Sequence, residues 1–200
     1  MDYFVYCHDK PGAGALRKQT LQAHWSFMDP YDPVFTARGP TLTDDGSAQT
    51  GSMHIADLPD AEALRVFAYE EPRYKAGVFD NVLIGRWHND LGRTMWDFKG
   101  DAERNQRFLI IGHGKSGASD AANRLHETRQ QYFEATGLEP CLIASGPLLS
   151  DDGTQWTGSA MMVEMANRAA VDAMLAGDPW VQAALYARVD IHRWEFGGRR

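Results

Sequence analysis

The chain has 200 residues, 44% of them hydrophobic and 24% charged, which is the composition of an ordinary globular protein. Its formal net charge of −7, with no Lys/Arg cluster beyond Arg199-Arg200, argues against a nucleic-acid partner, because phosphate-backbone binding rests on clustered cations. No run approaches about eighteen uninterrupted apolar residues and the N-terminus carries no basic region or cleavage site, so the sequence predicts neither a membrane span nor a secretory signal, and a cytoplasmic location.

In chain order, Tyr3-Phe4-Val5-Tyr6-Cys7 is a short aromatic and β-branched run that reads as a buried strand. A helix is predicted over residues 15–28, where Leu21, Trp25 and Met28 fall on one face and Pro30 and Pro33 close the segment. Residues 34–38 read as a strand leading into Gly39-Pro40, and Asp44-Asp45-Gly46 supplies the turn of a hairpin whose returning strand covers residues 51–58. Asp60 caps a second helix with an inward stripe of Leu64, Phe67 and Ala68, and residues 78–87 form a last strand. The polar connector of residues 88–106 can span roughly 60 Å when extended; its Trp96 and Phe98 are expected to dock on an edge of the fold.

The same words then return. Gly39-Pro40-Thr41-Leu42-Thr43-Asp44-Asp45-Gly46 reappears as Gly146-Pro147-Leu148-Leu149-Ser150-Asp151-Asp152-Gly153 at an offset of 107 residues. That offset also pairs Thr50-Gly51-Ser52 with Thr157-Gly158-Ser159, Pro72 with Pro179, Arg86-Trp87 with Arg193-Trp194 and, backwards, Arg17 with Arg124. Nearer the N-terminus it becomes 105, pairing His8 with His113 and Lys10 with Lys115, which places a two-residue difference in the loop before the first helix. The second helix recurs with Asn167 as cap and Val171, Met174 and Leu175 as stripe. The chain therefore divides into a repeat at 1–88, a linker at 89–106 and a repeat at 107–200. Each repeat reads βαββαβ, a ferredoxin-like α+β unit with both helices on one sheet face. The uncovered faces predict sheet-to-sheet packing of the repeats, a pseudo-dimer within one chain, with a further homodimer left open. Cys7 and Cys141 occupy non-equivalent positions in the two copies and read as buried reduced thiols.

Taken together, Arg-x6-His in the first helix, Gly-Pro-x-Leu-x-Asp-Asp-Gly in the hairpin, Ser after Thr-Gly, an acid before Pro and a closing Trp resemble the YCII-like family. The resemblance covers residues 3–87 and 108–194 and implies the dimeric α+β barrel superfamily, whose members isomerise, eliminate from or oxygenate small ring compounds without cofactors. It also implies a pocket with a first-helix His and the Asp of an Asp-Pro as a catalytic pair. In these terms the first copy has His24 with Glu71-Pro72, and the second has Asp178-Pro179 with Gln131 in the histidine's place. Glutamate can still orient an imidazole, whereas a glutamine amide exchanges no proton near neutral pH. His126, five residues before Gln131, points about 140° away on a helix and is not expected to replace it.

His24 beside an apolar stripe fits a general base or acid, and it fits equally a histidine hydrogen-bonded in the core. Ser52 and Ser159 could donate into a pocket or satisfy a strand edge, Trp25, Tyr74 and Phe79 are candidate aromatic lining, and Gln131 and Asp178 are candidates for binding. His8 and His113 read as loop anchors. The two Asp-Asp-Gly words lack the further spaced oxygens of a calcium loop, and no metal-ligand spacing, nucleotide-type Gly-rich turn or nucleophile motif occurs, so neither metal nor cofactor is expected. Two functions remain open. One is a cofactor-independent lyase or isomerase that uses His24 and Glu71 for proton transfer on a small cyclic or enolisable molecule. The other is a non-catalytic binding or regulatory protein with degenerate pockets.

Overall fold

A computed structural model describes residues 1–198; Arg199-Arg200 lie outside them. The first half runs β1 (Asp2–Asp9), α1 (Gly14–Gln19), α2 (Leu21–Met28), β2 (Phe35–Leu42), β3 (Gln49–Asp57), α3 (Ala61–Tyr69), α4 (Pro72–Lys75) and β4 (Phe79–Trp87). The second runs β5 (Gln106–Gly114), α5 (Ser119–Ala135), β6 (Leu142–Leu149), β7 (Trp156–Met165), α6 (Arg168–Gly177), α7 (Pro179–Gln182) and β8 (Tyr186–Trp194). The eight strands close into one barrel in the order β1-β3-β2-β8-β5-β7-β6-β4. Within each half the pairing is antiparallel and extensive, and the halves join through the shorter β2–β8 and β4–β6 ladders. Among the described residues closure leaves no open sheet edge.

Period-two alternation divides the strand residues between two environments. Phe4 and Tyr6 of β1 join Met53, Ile55, Trp87, Leu109, Ile111, Met162 and Trp194 in a cluster inside the barrel that draws on all eight strands. Tyr3 and Val5 point the other way, to a core shared with Leu64, Phe67 and Ala68 of α3, the expected inward stripe. Val171, Met174 and Leu175 of α6 do the same in the second half. Both predicted caps hold: Asp60 accepts from the Ala63 N–H at 2.8 Å and Asn167 from the Ala170 N–H at 3.0 Å. Gly39 and Gly146 have a packing reason, since a Cβ at either would collide with the backbone carbonyl of Glu195 or His88, the residues that follow β8 and β4.

Four expectations are corrected. The first helix is not continuous over 15–28: it breaks at Thr20, whose hydroxyl bonds back to the Leu16 carbonyl at 2.9 Å and competes with the helical ladder. In the connector Trp96 is 51% exposed, and the docked residues are Met95, which is buried, and Phe98, which packs on the barrel cluster. Cys7 is buried but Cys141 is only partly so, and both are free. The fourth correction concerns the register of the repeat: burial matches Met28 with Phe133, so the offset of 105 persists through the first helix and the two-residue difference follows it.

Candidate active site

In the first half α2, β2, β3, α4 and the chain after β8 enclose a cavity of about 330 Å³ whose lining includes His24, Trp25, Arg38, Ser52, His54 and Arg73. The Nδ1 of His24 lies 2.7 Å from Oε1 of Glu71. Glu71 is also the N-cap of α4, its Oε2 accepting from the Tyr74 N–H at 3.0 Å, which explains an acid placed directly before Pro72. A carboxylate can only accept, so Nδ1 carries the proton and Nε2 keeps its lone pair. Burial, seconded by the Arg73 charge, lowers the His24 pKa below its ordinary value against the opposing hydrogen bond that His24 donates to Glu71, which leaves a neutral imidazole near neutral pH.

Around this pair, Arg17 is fully engaged. Its Nη1 donates to both Asp9 oxygens at 2.8 and 2.9 Å, its Nε to Gln49 at 2.6 Å, and its Nη2 to the Ser52 hydroxyl at 2.7 Å and the Gly51 carbonyl at 3.1 Å. Ser52 thus accepts from Arg17 and retains its own hydrogen for another acceptor. His54 stands between Phe35 and Phe67, with ring centroids 5.7 and 5.4 Å away, and its enclosed Nδ1 has no partner. Burial holds its pKa well below the ordinary value. Arg38 pairs with Asp32 and lies over the Phe35 ring.

The second half keeps the acid and changes what faces it. Arg129, not Gln131, meets Asp178: its Nε donates to Oδ2 at 2.8 Å, while Oδ1 accepts from the Trp180 N–H at 2.8 Å as the cap of α7. At the offset of 105 the counterpart of His24 is Arg129. Gln131 lies two positions on, about 200° around the helix, is exposed and contacts Glu127 at 3.3 Å. At the same offset Arg17 and Asp9 correspond to Ala122 and Gly114, and at 107 Gln49 and Arg73 correspond to Trp156 and Trp180. These tryptophans pack on each other at 5.3 Å in an apolar cluster with Ala122. Ser159 is buried and bonded to the Tyr186 hydroxyl at 2.7 Å. A smaller cavity of about 220 Å³ remains, lined by Asp90, His126, Arg129, Gln130 and Ser145 among others, without Gln131, Asp178 or Ser159. His126 therefore does face the second cavity, with Nε2 3.5 Å from Asp90.

Of the other candidates, Trp25 lines the first cavity, but Tyr74 and Phe79 line a separate depression with Tyr69. Tyr74 reaches the site only through its backbone N–H. His8 and His113 do not anchor loops: they pair across to Asp80 and Asp190, each at 2.9 Å. Sequence reasoning uses Arg17 only as the Arg of the Arg-x6-His word and passes over Arg38, His54 and Arg73, because Arg is ordinarily a surface residue and His54 sits in a predicted strand with no motif around it. The available signal was the exchange of Arg73 for Trp180 inside an otherwise retained acid-Pro word. Among the described residues no group of three or more His, Cys, Asp or Glu side chains is arranged to hold a metal, and no helix is long and apolar enough to cross a membrane.

Comparison with known proteins agrees with this architecture. The YCII-related domain matches residues 1–88 and again 106–195, and no curated protein matches the chain. Among solved structures, the 5-chloro-2-hydroxyhydroquinone dehydrochlorinase of Burkholderia phenoliruptrix AC1100, in complex with 2,5-dihydroxybenzoquinone, is 27% identical over 46% of this chain and 99% of its own, with a TM-score of 0.43. An anthrone oxidase-like protein is 10% identical, covers 100% of this chain and 91% of its own, and has a TM-score of 0.57. A mutant chlorite dismutase from Candidatus Nitrospira defluvii, in complex with cyanide, is 9% identical over 97% and 90%, with a TM-score of 0.58. The last two are alike in fold alone. With both halves matched by one domain and closed into one eight-stranded barrel, the chain belongs to the YCII-related family, as a tandem duplication folded into a dimeric α+β barrel within itself.

Proposed function

We propose that the first cavity is the active site of a cofactor-independent enzyme that transfers a proton in an elimination or isomerisation of a small cyclic or enolisable molecule, with His24 as the base and Glu71 as its orienting acid. The observation that carries this reading is the 2.7 Å contact of His24 Nδ1 with Glu71 at the wall of a cavity of about 330 Å³. A volume of that size suits a small ring compound, at the lower end of the roughly 300–1,000 Å³ of ligand pockets. The substrate proton passes to the His24 Nε2 lone pair and the bonding electron pair stays on the substrate. In an isomerisation the imidazolium returns the proton at another atom; in an elimination the pair expels a leaving group. Glu71 holds the Nδ1–H and stabilises the imidazolium. For the second half a non-catalytic binding role is the better supported reading, because Arg129 stays protonated and cannot act as a base near neutral pH.

The test is exchange of deuterium between solvent and a panel of enolisable carbonyl and phenolic compounds, followed by NMR, which detects proton transfer before the net reaction is known. His24→Gln is expected to lower the rate by about 10²–10⁴-fold with circular dichroism unchanged. The wild-type rate should fall only in acid, below the ordinary histidine value of about 6.5, because the base acts unprotonated and its pKa is lowered. Equal activity of wild type and His24→Gln, with no ionisation on the acid side, would return His24 to a core role and shift the first half to the binding reading too.

A further inference from the structure

The proton-transfer pair leaves one buried charge without a role. Arg73 is 4% exposed, its side chain makes no hydrogen bond or ion pair among the described residues, and its enclosed Nε has no partner. Both nearby acids spend their hydrogen bonds on other partners. Asp9 gives its two oxygens to Arg17 at 2.8 and 2.9 Å, and Glu71 gives one to His24 at 2.7 Å and the other to the Tyr74 N–H at 3.0 Å. Burial, opposed by the charges of Glu71 and Asp9, lowers the guanidinium pKa to about 10, so it is still a cation at neutral pH. Buried charges are ordinarily paired, because an isolated one loses its hydration for nothing. The buried arginine of the second half, Arg129, is paired in this way with Asp178.

The position of this unpaired cation is also particular. Arg73 lines the His24 cavity and, on the same wall, a wider depression of about 760 Å³ that adds Lys10 and Lys18. In the second half its place is filled by Trp180, whose Nε1 is satisfied by the Ala122 carbonyl at 3.1 Å. A fork of fixed donors beside a neutral imidazole is the arrangement that stabilises negative charge on oxygen as a proton is withdrawn.

We propose that Arg73 is the seat of an oxyanion: the ligand of the first cavity is a small ring or enolisable compound carrying an ionised oxygen, as phenolate, enolate or carboxylate, held by the Arg73 guanidinium with its reacting proton at His24. The placement of that proton rests on His24 being the base; the anion seat does not. Lys10 and Lys18 at the outer rim would draw such an anion in.

4-Nitrophenol, whose neutral and ionised forms absorb differently, and benzoate, followed by calorimetry, are suitable probes. Wild type is expected to bind 4-nitrophenolate at least about 10-fold tighter than 4-nitrophenol, so that the bound probe's pKa falls by about one unit or more. Arg73→Gln should weaken nitrophenolate and benzoate by about 10–100-fold without changing affinity for the neutral phenol, and Arg73→Lys should keep part of the preference. His24→Gln should keep all of it. Equal binding of the two forms by wild type, an undiminished preference in Arg73→Gln, or no saturable binding of either anion would overturn the inference. If Arg73→Gln does not fold, Arg73→Met takes its place, and the wild-type preference is decisive without either. Should proton exchange survive in His24→Gln while anion binding still depends on Arg73, the base assignment fails and the anion seat stands; the reverse pattern sinks the seat alone.

Discussion

The two halves carry the same acid on the same helix cap and use it differently. Glu71 and Asp178 each accept from a backbone N–H at the start of a short helix and from a side chain of the preceding long helix or helix pair. In the first half that side chain is a histidine that can lose and regain a proton, beside Arg17, Gln49 and the open Arg73. In the second it is Arg129, permanently charged, and the space beyond is filled by Trp156, Trp180 and Ala122. The acid is therefore kept in both halves by what folding needs from it, a cap and an anchor. An acid before proline does not by itself mark a reactive site in this fold; a titratable partner and unfilled space do.

The comparison can be broken from the second half first, where the largest effect is expected in stability. Asp178→Ala leaves the Arg129 guanidinium, 2% exposed, without its partner. The expected cost is about 3–5 kcal/mol, read as a melting temperature lower by roughly 6–20 °C, while proton exchange by the folded protein is unchanged. A loss under about 1 kcal/mol would mean that the pair is not the anchor described.

The corresponding change in the first half should be read in turnover instead. In Glu71→Gln the amide can present its NH2 group to Nδ1, which would move the imidazole proton to Nε2 and occupy the lone pair the reaction needs. A loss of about 10²–10⁴-fold in proton exchange is expected, with a stability cost of only about 1–2 kcal/mol because His24 is left neutral and not as a bare buried ion. The residual activity should also fall off at lower pH than in wild type, because Glu71 raises the His24 pKa and its charge is gone. A variant that melts far below wild type yet exchanges protons normally would make the two acids equivalent and remove the asymmetry.

Most of the fold was legible because each level of the sequence agreed with the next. The repeated hairpin words, two independent apolar stripes and two side-chain caps all point to one βαββαβ unit, and an unpaired sheet face called for a second. The candidate site was legible at His24 and Glu71, two positions that the family resemblance singles out, although it calls for Asp where this chain has Glu71, and the two side chains do meet. It was misread where a gapless offset was carried through the first helix: two residues of slip turn a helix by about 200° and exchanged Arg129 for Gln131. Arg73, and the contacts of Arg17 beyond its place in the Arg-x6-His word, were missed for a different reason. Burial of a charge depends on which acids the tertiary fold leaves available, and here the nearby acids come from β1 and from the residue before α4. No local pattern carries that. Tyr74 and Phe79 follow Glu71 closely in sequence, yet the side chain of Tyr74 on α4 and that of Phe79 at the start of β4 both line another surface.

The smallest effect expected concerns His54, which has an apolar counterpart, the buried Met161, at the equivalent position of β7. His54 sits in an aromatic cage with its Nδ1 enclosed and unpartnered, and burial, aided by the charges of His24, Arg38, Arg73 and Arg17, holds its pKa well below 6.5. A folded-state pKa below the unfolded one means that the unfolded chain binds more protons at acid pH. Stability then rises with pH, and it is lost as pH falls below about 6.5 toward the folded value. His24, also lowered, acts in the same direction. Each such histidine contributes at most about 1.4 kcal/mol per pH unit within that window. In His54→Phe the ring is replaced by one that cannot be protonated, and the cage of Phe35 and Phe67 accepts it. At pH 7 the change should stay within about 1 kcal/mol, since relief of the unpaired Nδ1 and mild overpacking oppose each other. Between about pH 6.5 and 5 the variant should lose less stability than wild type, its melting curve separating upward as acid is added. Thermal melts of the two proteins across that range decide it: parallel curves would mean that His54 is protonated as easily in the folded protein as out of it, and that the floor of the first cavity is wetter than its aromatic wall suggests.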